Sequence, residues 1–344
     1  MRSKIEQNMK SVLCTAVAVS GIGLIGADPN INGAGASFPA PVYRVWTYSY
    51  RRATGTRVNY QSVGSGAGIR QIKARTVDFG GSDKPLKKAD QDKAKLIQFP
   101  MLMGGVVVVA NIPGIKDCQL KLSSKVLGDI FLGKIKKWND PQVRADNPGI
   151  NLPNMNITVV HRSDGSGTTW IFTNYLSKIS KAWSSKVGCG KAVKWPCGLG
   201  GQKNPGVANN VKRVNGAIGY VEYTYATSAK IPMIQLRNKS GNFVKPDMKS
   251  FQAAGANADW DNAPGFYMVL TDQPGKDSWP ITGVTYILIH NDIKMSKVEA
   301  MIRYFKWCYT EGATSATKLG YVPIPDNVVA KVKGLWNKTF KGLK

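Results

Sequence analysis

The chain has 344 residues at 37.4 kDa, 43% hydrophobic and 20% charged, which excludes a peptide or a disordered tail and supplies apolar material for two domains or one domain with a large elaboration. Lys and Arg number 47 against 21 Asp and Glu, and the net charge of +26 makes anionic partners the first to consider without naming the anion.

In chain order, Arg2, Lys4 and Lys10 precede an apolar, small-residue run from Val12 to Ala27. That is the shape of a secretory signal, so residues 1–27 are expected to be removed and the remainder exported. Short strands rich in Val, Ile and Tyr are predicted at 57–63, 77–80, 105–111, 157–161, 217–221 and 284–290. Helix starts are predicted at Pro39, Ile69, Ser123, Thr168, Pro205, Ser296 and Pro325, with Ser296 and Glu299 spelling a capping box. Strands alternating with helices indicate an α/β architecture with parallel sheets. Once Cys14 leaves with the signal, Cys118, Cys189, Cys197 and Cys308 remain. A local Cys189–Cys197 disulfide in the Gly/Trp/Pro-rich loop and isolated thiols are both open readings, and Cys118–Cys308 is another pairing left open.

Chemistry concentrates in three loops of one design, a small hydroxyl residue among glycines ahead of a helix. They are Gly33-Ala34-Gly35-Ala36-Ser37-Phe38-Pro39, Gly64-Ser65-Gly66-Ala67-Gly68 and Asp164-Gly165-Ser166-Gly167-Thr168-Thr169. Glycine admits a ligand close to the backbone, first-turn amides have no intrahelical partner, and the hydroxyl adds a donor. Each alone reads as an ordinary capped helix; three together, with Arg162 beside the third, point to an oxyanion site. Asp83, ending a strand-like segment, reads either as a cap for the turn at Lys84 or as a hydrogen-bond acceptor for a protonated anion. The second reading explains a carboxylate at an anion site: it takes a P–OH proton, whereas sulfate brings none near neutral pH.

Enzyme signatures are weak by comparison. The only two histidines, His161 and His290, end predicted strands; neither Ser65 nor Ser166 lies in a Gly-x-Ser-x-Gly elbow; and Ile135 stands where a phosphate loop ending at Lys134 needs Ser or Thr. No metal-ligand spacing is present, so no catalytic residue, metal or cofactor is expected. The lysines are dispersed without a nucleic-acid-binding motif, so no specific nucleic acid is expected; a basic surface-adhesive or phosphoester-binding protein is the alternative.

The segments NGAGASFPAPVY at 32–43, NYQSVGSGAGIRQI at 59–72, TVDFGGSDKPL at 76–86, HRSDGSGTTWIFTNYL at 161–176 and GAIGYVEYTYA at 216–226 resemble, in order, the periplasmic phosphate-binding proteins of phosphate-specific ABC transporters. The resemblance implies a two-lobed periplasmic-binding-protein fold of type II, lobes joined by crossover strands around a ligand cleft. It implies inorganic phosphate as ligand, contacted by Ser37, Phe38, Ser65, Asp83, Arg162, Ser166, Gly167 and Thr168, with Asp164 orienting Arg162. Ser37 stands where threonine is common, and Gly66-Ala67 replaces a serine-glycine pair. The partners implied are two transmembrane permease subunits and an ATPase, the location periplasmic and the protein a monomer. With crossings expected at 106–111 and 282–290, one lobe is expected at 28–107 plus 284–344 and the other at 108–283.

Overall fold

The structure, a computed structural model, describes residues 30–343, so the expected signal at 1–27 lies outside the described residues. Its strands in chain order are β1 Ile31–Gly35, β2 Val58–Ser62, β3 Phe79–Ser82, β4 Leu96–Ala110, β5 Lys121–Leu122 and β6 Thr158–Arg162. They continue with β7 Leu199–Gly201, β8 Ala217–Glu222, β9 Gln235–Arg237, β10 Phe243–Val244, β11 Thr282–His290 and β12 Val322–Pro323. Nine of them form one sheet in the order β2-β1-β3-β11-β4-β8-β6-β7, with β12 also on β4, and β10-β9-β5 form a small second sheet.

The large sheet is mixed, which corrects the expectation of parallel sheets. β1 runs parallel to β2 and β3, and β6 parallel to β7 and β8, but β4 and β11 are antiparallel to each other and to their outer neighbours. The two central strands serve both halves, so each must enter one half against the direction of that half's own strands. β4 is 15 residues long and buried throughout, which makes it about 50 Å at roughly 3.3 Å per residue. Residues 96–105 pair with β11 and residues 106–110 with β8, so a single apolar strand ties the halves together. Its near-continuous Leu/Ile/Val/Met composition suits burial on both faces. Pro100, which has no N–H, sits where the register with β11 shifts between Thr285 and Tyr286.

Helices cover the sheet, and two differ from expectation. The second begins at Ser65 rather than Ile69, running Ser65–Lys73. The helix Met295–Tyr309 starts from Lys294 without a side-chain cap, which places Ser296 inside it and dissolves the expected box with Glu299. A capping box exists instead at Asp247 and Ser250, at the head of Met248–Gly255. The cysteine alternatives resolve to free thiols at Cys118, Cys189, Cys197 and Cys308. Cys189 and Cys197 turn toward different carbonyls, those of Trp170 at 3.6 Å and Phe131 at 3.9 Å. Among the described residues no helix is long and apolar enough to cross a membrane.

Candidate functional site

Because β1, β2 and β3 are parallel, the loops that follow them leave one edge of the sheet, and the loops after β6 and β7 meet them from the other half. The loops after β1, β2, β6 and β7 lead into the helices Ala40–Thr54, Ser65–Lys73, Gly167–Ile179 and Lys203–Arg213, and the one after β3 carries Asp83. Helix N-termini thus converge, bringing unpaired amides and the positive ends of their dipoles together. The amides of Ser37, Phe38, Ser65, Gly167 and Thr168 have no protein acceptor among the described residues.

The expected site residues are brought into one buried cluster. Ser37, Phe38, Ser65, Asp83, Arg162, Ser166 and Thr168 are each 3% exposed or less. Ser65 ties the second loop to the strand end: its Oγ accepts the Asp83 N–H at 3.2 Å and donates to Asp83 Oδ2 at 3.4 Å. Asp83 Oδ1 is buried without a hydrogen-bond partner. Burial pushes the Asp83 carboxyl up to about 7, against the opposing pull of the Thr285 and Ser65 hydroxyls and the Arg162 guanidinium. The alternative that Asp83 merely caps the following turn fails, since Ser82 Oγ accepts the Lys84 N–H at 3.1 Å.

Arg162, the last residue of β6, donates two parallel bonds to Asp164, Nε to Oδ1 at 2.7 Å and Nη2 to Oδ2 at 2.6 Å, while Nη1 reaches Thr168 Oγ1 at 3.4 Å. Burial opposes the charge on Asp164, yet Arg162 and the Lys203 N–H hold its carboxyl below the usual range. Ser166 caps its helix, accepting the Thr169 N–H at 3.0 Å, which leaves its hydroxyl proton free to donate elsewhere. Gly167 is required by space: a Cβ there would fall 2.4 Å from Ser65 Oγ and 2.5 Å from Asp83 Oδ2.

The two halves touch along a seam around this cluster. Gly66 N–H donates to Gly165 O at 2.7 Å, and a side chain on Gly64 would strike Asp164 Oδ2 at 2.5 Å. Lys203, at a φ of 59° that is costly for a non-glycine, is held by its N–H on Asp164 Oδ1 at 2.9 Å and its Nζ on Ser62 O at 3.2 Å.

A profile for the PBP superfamily domain matches residues 25–310. Phosphate-binding protein PstS of Pasteurella multocida is 48% identical over 333 residues, 96% of this chain and 97% of its own length. PstS of Haemophilus influenzae is 50% identical over 313 residues, 91% of this chain and 94% of its own. The chain belongs to the PstS phosphate-binding-protein family. The phosphate-binding protein of Stenotrophomonas maltophilia shares the fold, with a TM-score of 0.70 at 20% identity over 89% of this chain and 94% of that one. A high-affinity periplasmic phosphate-binding protein solved with phosphate bound superposes equally well, TM-score 0.70 at 20% identity over 89% and 93%. The α/β, two-lobed periplasmic-binding-protein fold expected from the sequence is thereby established.

Sequence reasoning missed residues that this PstS family member places behind the site. Asn204, fully buried at the head of Lys203–Arg213, donates from Nδ2 to Ser37 Oγ at 3.0 Å and to Thr168 Oγ1 at 3.3 Å, joining loops from both halves. Tyr60, Tyr225 and Tyr321 donate to the carbonyls of Ala36, Ser37 and Phe38 at 2.9, 2.7 and 2.8 Å. None lies near its partner in sequence; Tyr60 and Tyr225 fall within the runs at 59–72 and 216–226 but had no role read from them. Both histidines are bound to backbone: His161 Nδ1 lies 3.1 Å from Arg162 O and His290 Nε2 lies 2.7 Å from Ile72 O.

Proposed function

We propose that this protein binds one inorganic phosphate between its two lobes and presents it to an ABC-type importer. The reading gives phosphate to Ser37, Phe38, Ser65, Asp83, Arg162, Ser166, Gly167 and Thr168, with Asp164 fixing the guanidinium. The observation that carries it is the buried, unpartnered Asp83 Oδ1 set among helix-start amides and a buried arginine. A carboxylate in such a nest requires a donor, and hydrogen phosphate offers donor and acceptors in one ion. Sulfate offers acceptors alone, so Asp83 excludes it by lone-pair repulsion. The amides, hydroxyls and Arg162 replace the anion's water shell, each charge-assisted bond contributing about 1.5–3 kcal/mol net.

The proposed lobes are 28–107 plus 284–344 and 108–283, with β4 and β11 as the crossings. Export by the basic, apolar first 27 residues would place the protein in the periplasm as a monomer, facing permease subunits that receive the ion. Titration calorimetry of phosphate-stripped protein above pH 7, where Asp83 is ionised, tests the reading. One phosphate per chain with no sulfate heat is expected; folded protein giving no phosphate heat would end it.

A further inference from the structure

The three tyrosines that grip the first loop do different work. In a trans peptide the C=O and the next N–H point opposite ways. By holding the carbonyls of Ala36 and Ser37, Tyr60 and Tyr225 therefore aim the amides of Ser37 and Phe38 away from themselves. Phe38 is followed by Pro39, which has no N–H, so Tyr321 fixes the loop's exit into the helix Ala40–Thr54 instead.

Tyr321 also poses a problem of proton number. Its hydroxyl lies 2.8 Å from Phe38 O and 3.0 Å from Glu222 Oε2. A carbonyl only accepts, an ionised carboxylate only accepts, and a phenol carries a single proton. The shortage repeats at Thr224, whose Oγ1 lies 3.0 Å from both Glu222 Oε1 and Leu319 O, while Oε1 already accepts the Thr224 N–H at 3.0 Å. Two hydroxyl protons face four contacts. One proton on Glu222 Oε2 relieves the shortage at Tyr321: Glu222 donates to the phenol oxygen, the phenol donates to Phe38 O, and Thr224 keeps its own proton for Leu319 O.

We propose that Glu222 is a protonated acid in the folded protein and acts through Tyr321 as a positioning residue for the loop carrying Ser37 and Phe38. The inference rests on reading that loop as a phosphate contact. Glu222 and Tyr321 are both fully buried, and no Lys or Arg pairs with Glu222 among the described residues. An ionised carboxylate there would be an uncompensated buried charge. Burial pushes the Glu222 carboxyl up to about 8, and the charge of Asp83 raises it further while Thr224 and Tyr321 draw it back. The other titratable groups facing it, the phenols of Tyr223, Tyr225 and Tyr321, are themselves raised, chiefly by burial, and stay neutral.

Infrared spectroscopy separates this from a purely structural carboxylate, because a carboxylic acid has a carbonyl stretch that an ionised carboxylate lacks. Asp83, raised to about 7, is the other buried acid that would contribute, so the decisive sample is Asp83→Asn. At neutral pH that variant is expected to keep an acid band that bleaches as pH rises past Glu222's titration, and adding Glu222→Gln to Asp83→Asn should remove it. No acid band in Asp83→Asn overturns the proposal, and this arm needs no folded Glu222 variant. Binding supplies the second arm: the amide of Glu222→Gln can still donate to Tyr321 and accept from Thr224. It is expected to bind phosphate about tenfold more tightly than Glu222→Ala, with Tyr321→Phe resembling the latter. Equal weakening in Gln and Ala variants overturns the relay. Absence of phosphate binding in the parent protein would remove the functional reading alone, because the acid band reports protonation whatever the ligand.

Discussion

Asp83 and Asp164 are the same residue type on opposite sides of one buried cluster, and their surroundings give them opposite characters. Asp164 faces a guanidinium through two short bonds and takes a third from a backbone N–H, so its charge is neutralised within the protein. Asp83 has one oxygen bonded to Ser65 and the other beside the Thr285 hydroxyl without a hydrogen-bond partner among the described residues, and it is raised where Asp164 is lowered. One carboxylate is internally satisfied; the other, on the proposed reading, awaits a donor from the ligand. Burial opposes the charge on both, fully at Asp83 and only in part at Asp164, whose side chain is 16% exposed, and it is the guanidinium beside Asp164 that turns its carboxyl downward.

The sharpest way to break this contrast is to remove the scaffold acid. Asp164→Ala leaves a buried guanidinium unpaired and should lower stability by about 3–5 kcal/mol in urea denaturation, with phosphate affinity falling alongside. A loss no greater than that of an exposed Asp→Ala control would show that the pair is not internally balanced. Arg162→Ala should reduce phosphate affinity by about ten- to a hundredfold without abolishing it, since the helix-start amides persist. Unchanged affinity by calorimetry would take Arg162 out of the site.

Asp83→Asn should have the reverse signature, a phosphate-free protein that is more stable at alkaline pH and discriminates less against sulfate. Asp83 sits near 7 when folded against an ordinary 3.8. The folded state therefore keeps a proton that the unfolded chain releases, and stability declines as pH rises through 7. Phosphate-free parent protein should melt lower at about pH 8 than at about pH 5, and the Asn variant should flatten that slope. In the parent, sulfate rejection should weaken on acidification, as a neutral Asp83 becomes a donor; a pH-independent sulfate affinity would contradict this. The smallest effect is expected at the seam, where a Cβ on Gly66 would lie 3.1 Å from Gly165. Gly66→Ala should weaken phosphate binding by less than about tenfold, read by calorimetry, because the neighbouring backbone must yield by only tenths of an ångström.

Much of the candidate site was legible because its residues are local. Ser65, Asp83 and Ser166 stand beside the strand end or helix start that positions them, and Arg162 with Asp164 spells its own ion pair. What depended on remote contact was not legible. Asn204 meets Ser37 across 167 positions and Tyr321 meets Phe38 across 283, and no periodicity carries such pairings. The sheet shows the same division: β2, β3, β6, β8 and β11 followed from Val/Ile/Tyr content, whereas the glycine-rich β1 and β7 and residues 96–104 of β4 were not expected as strands, and the antiparallel sense of β4 and β11 is a property of the whole topology. The helix at Ser65 began earlier than expected because glycines of poor intrinsic propensity are held there by contacts such as Gly66 N–H to Gly165 O.

The meeting of Gly66 with Gly165 bears on time as well as on space. Backbone meets backbone there with no side chain between, so for an ion bound among the loops on either side, as proposed above, escape is expected to wait for the halves to part. Residence of the cargo is then set by the frequency of opening rather than by the strength of any one hydrogen bond. A receptor built this way can hold its ion firmly in dilute surroundings and still surrender it quickly to a membrane complex that pulls the seam apart.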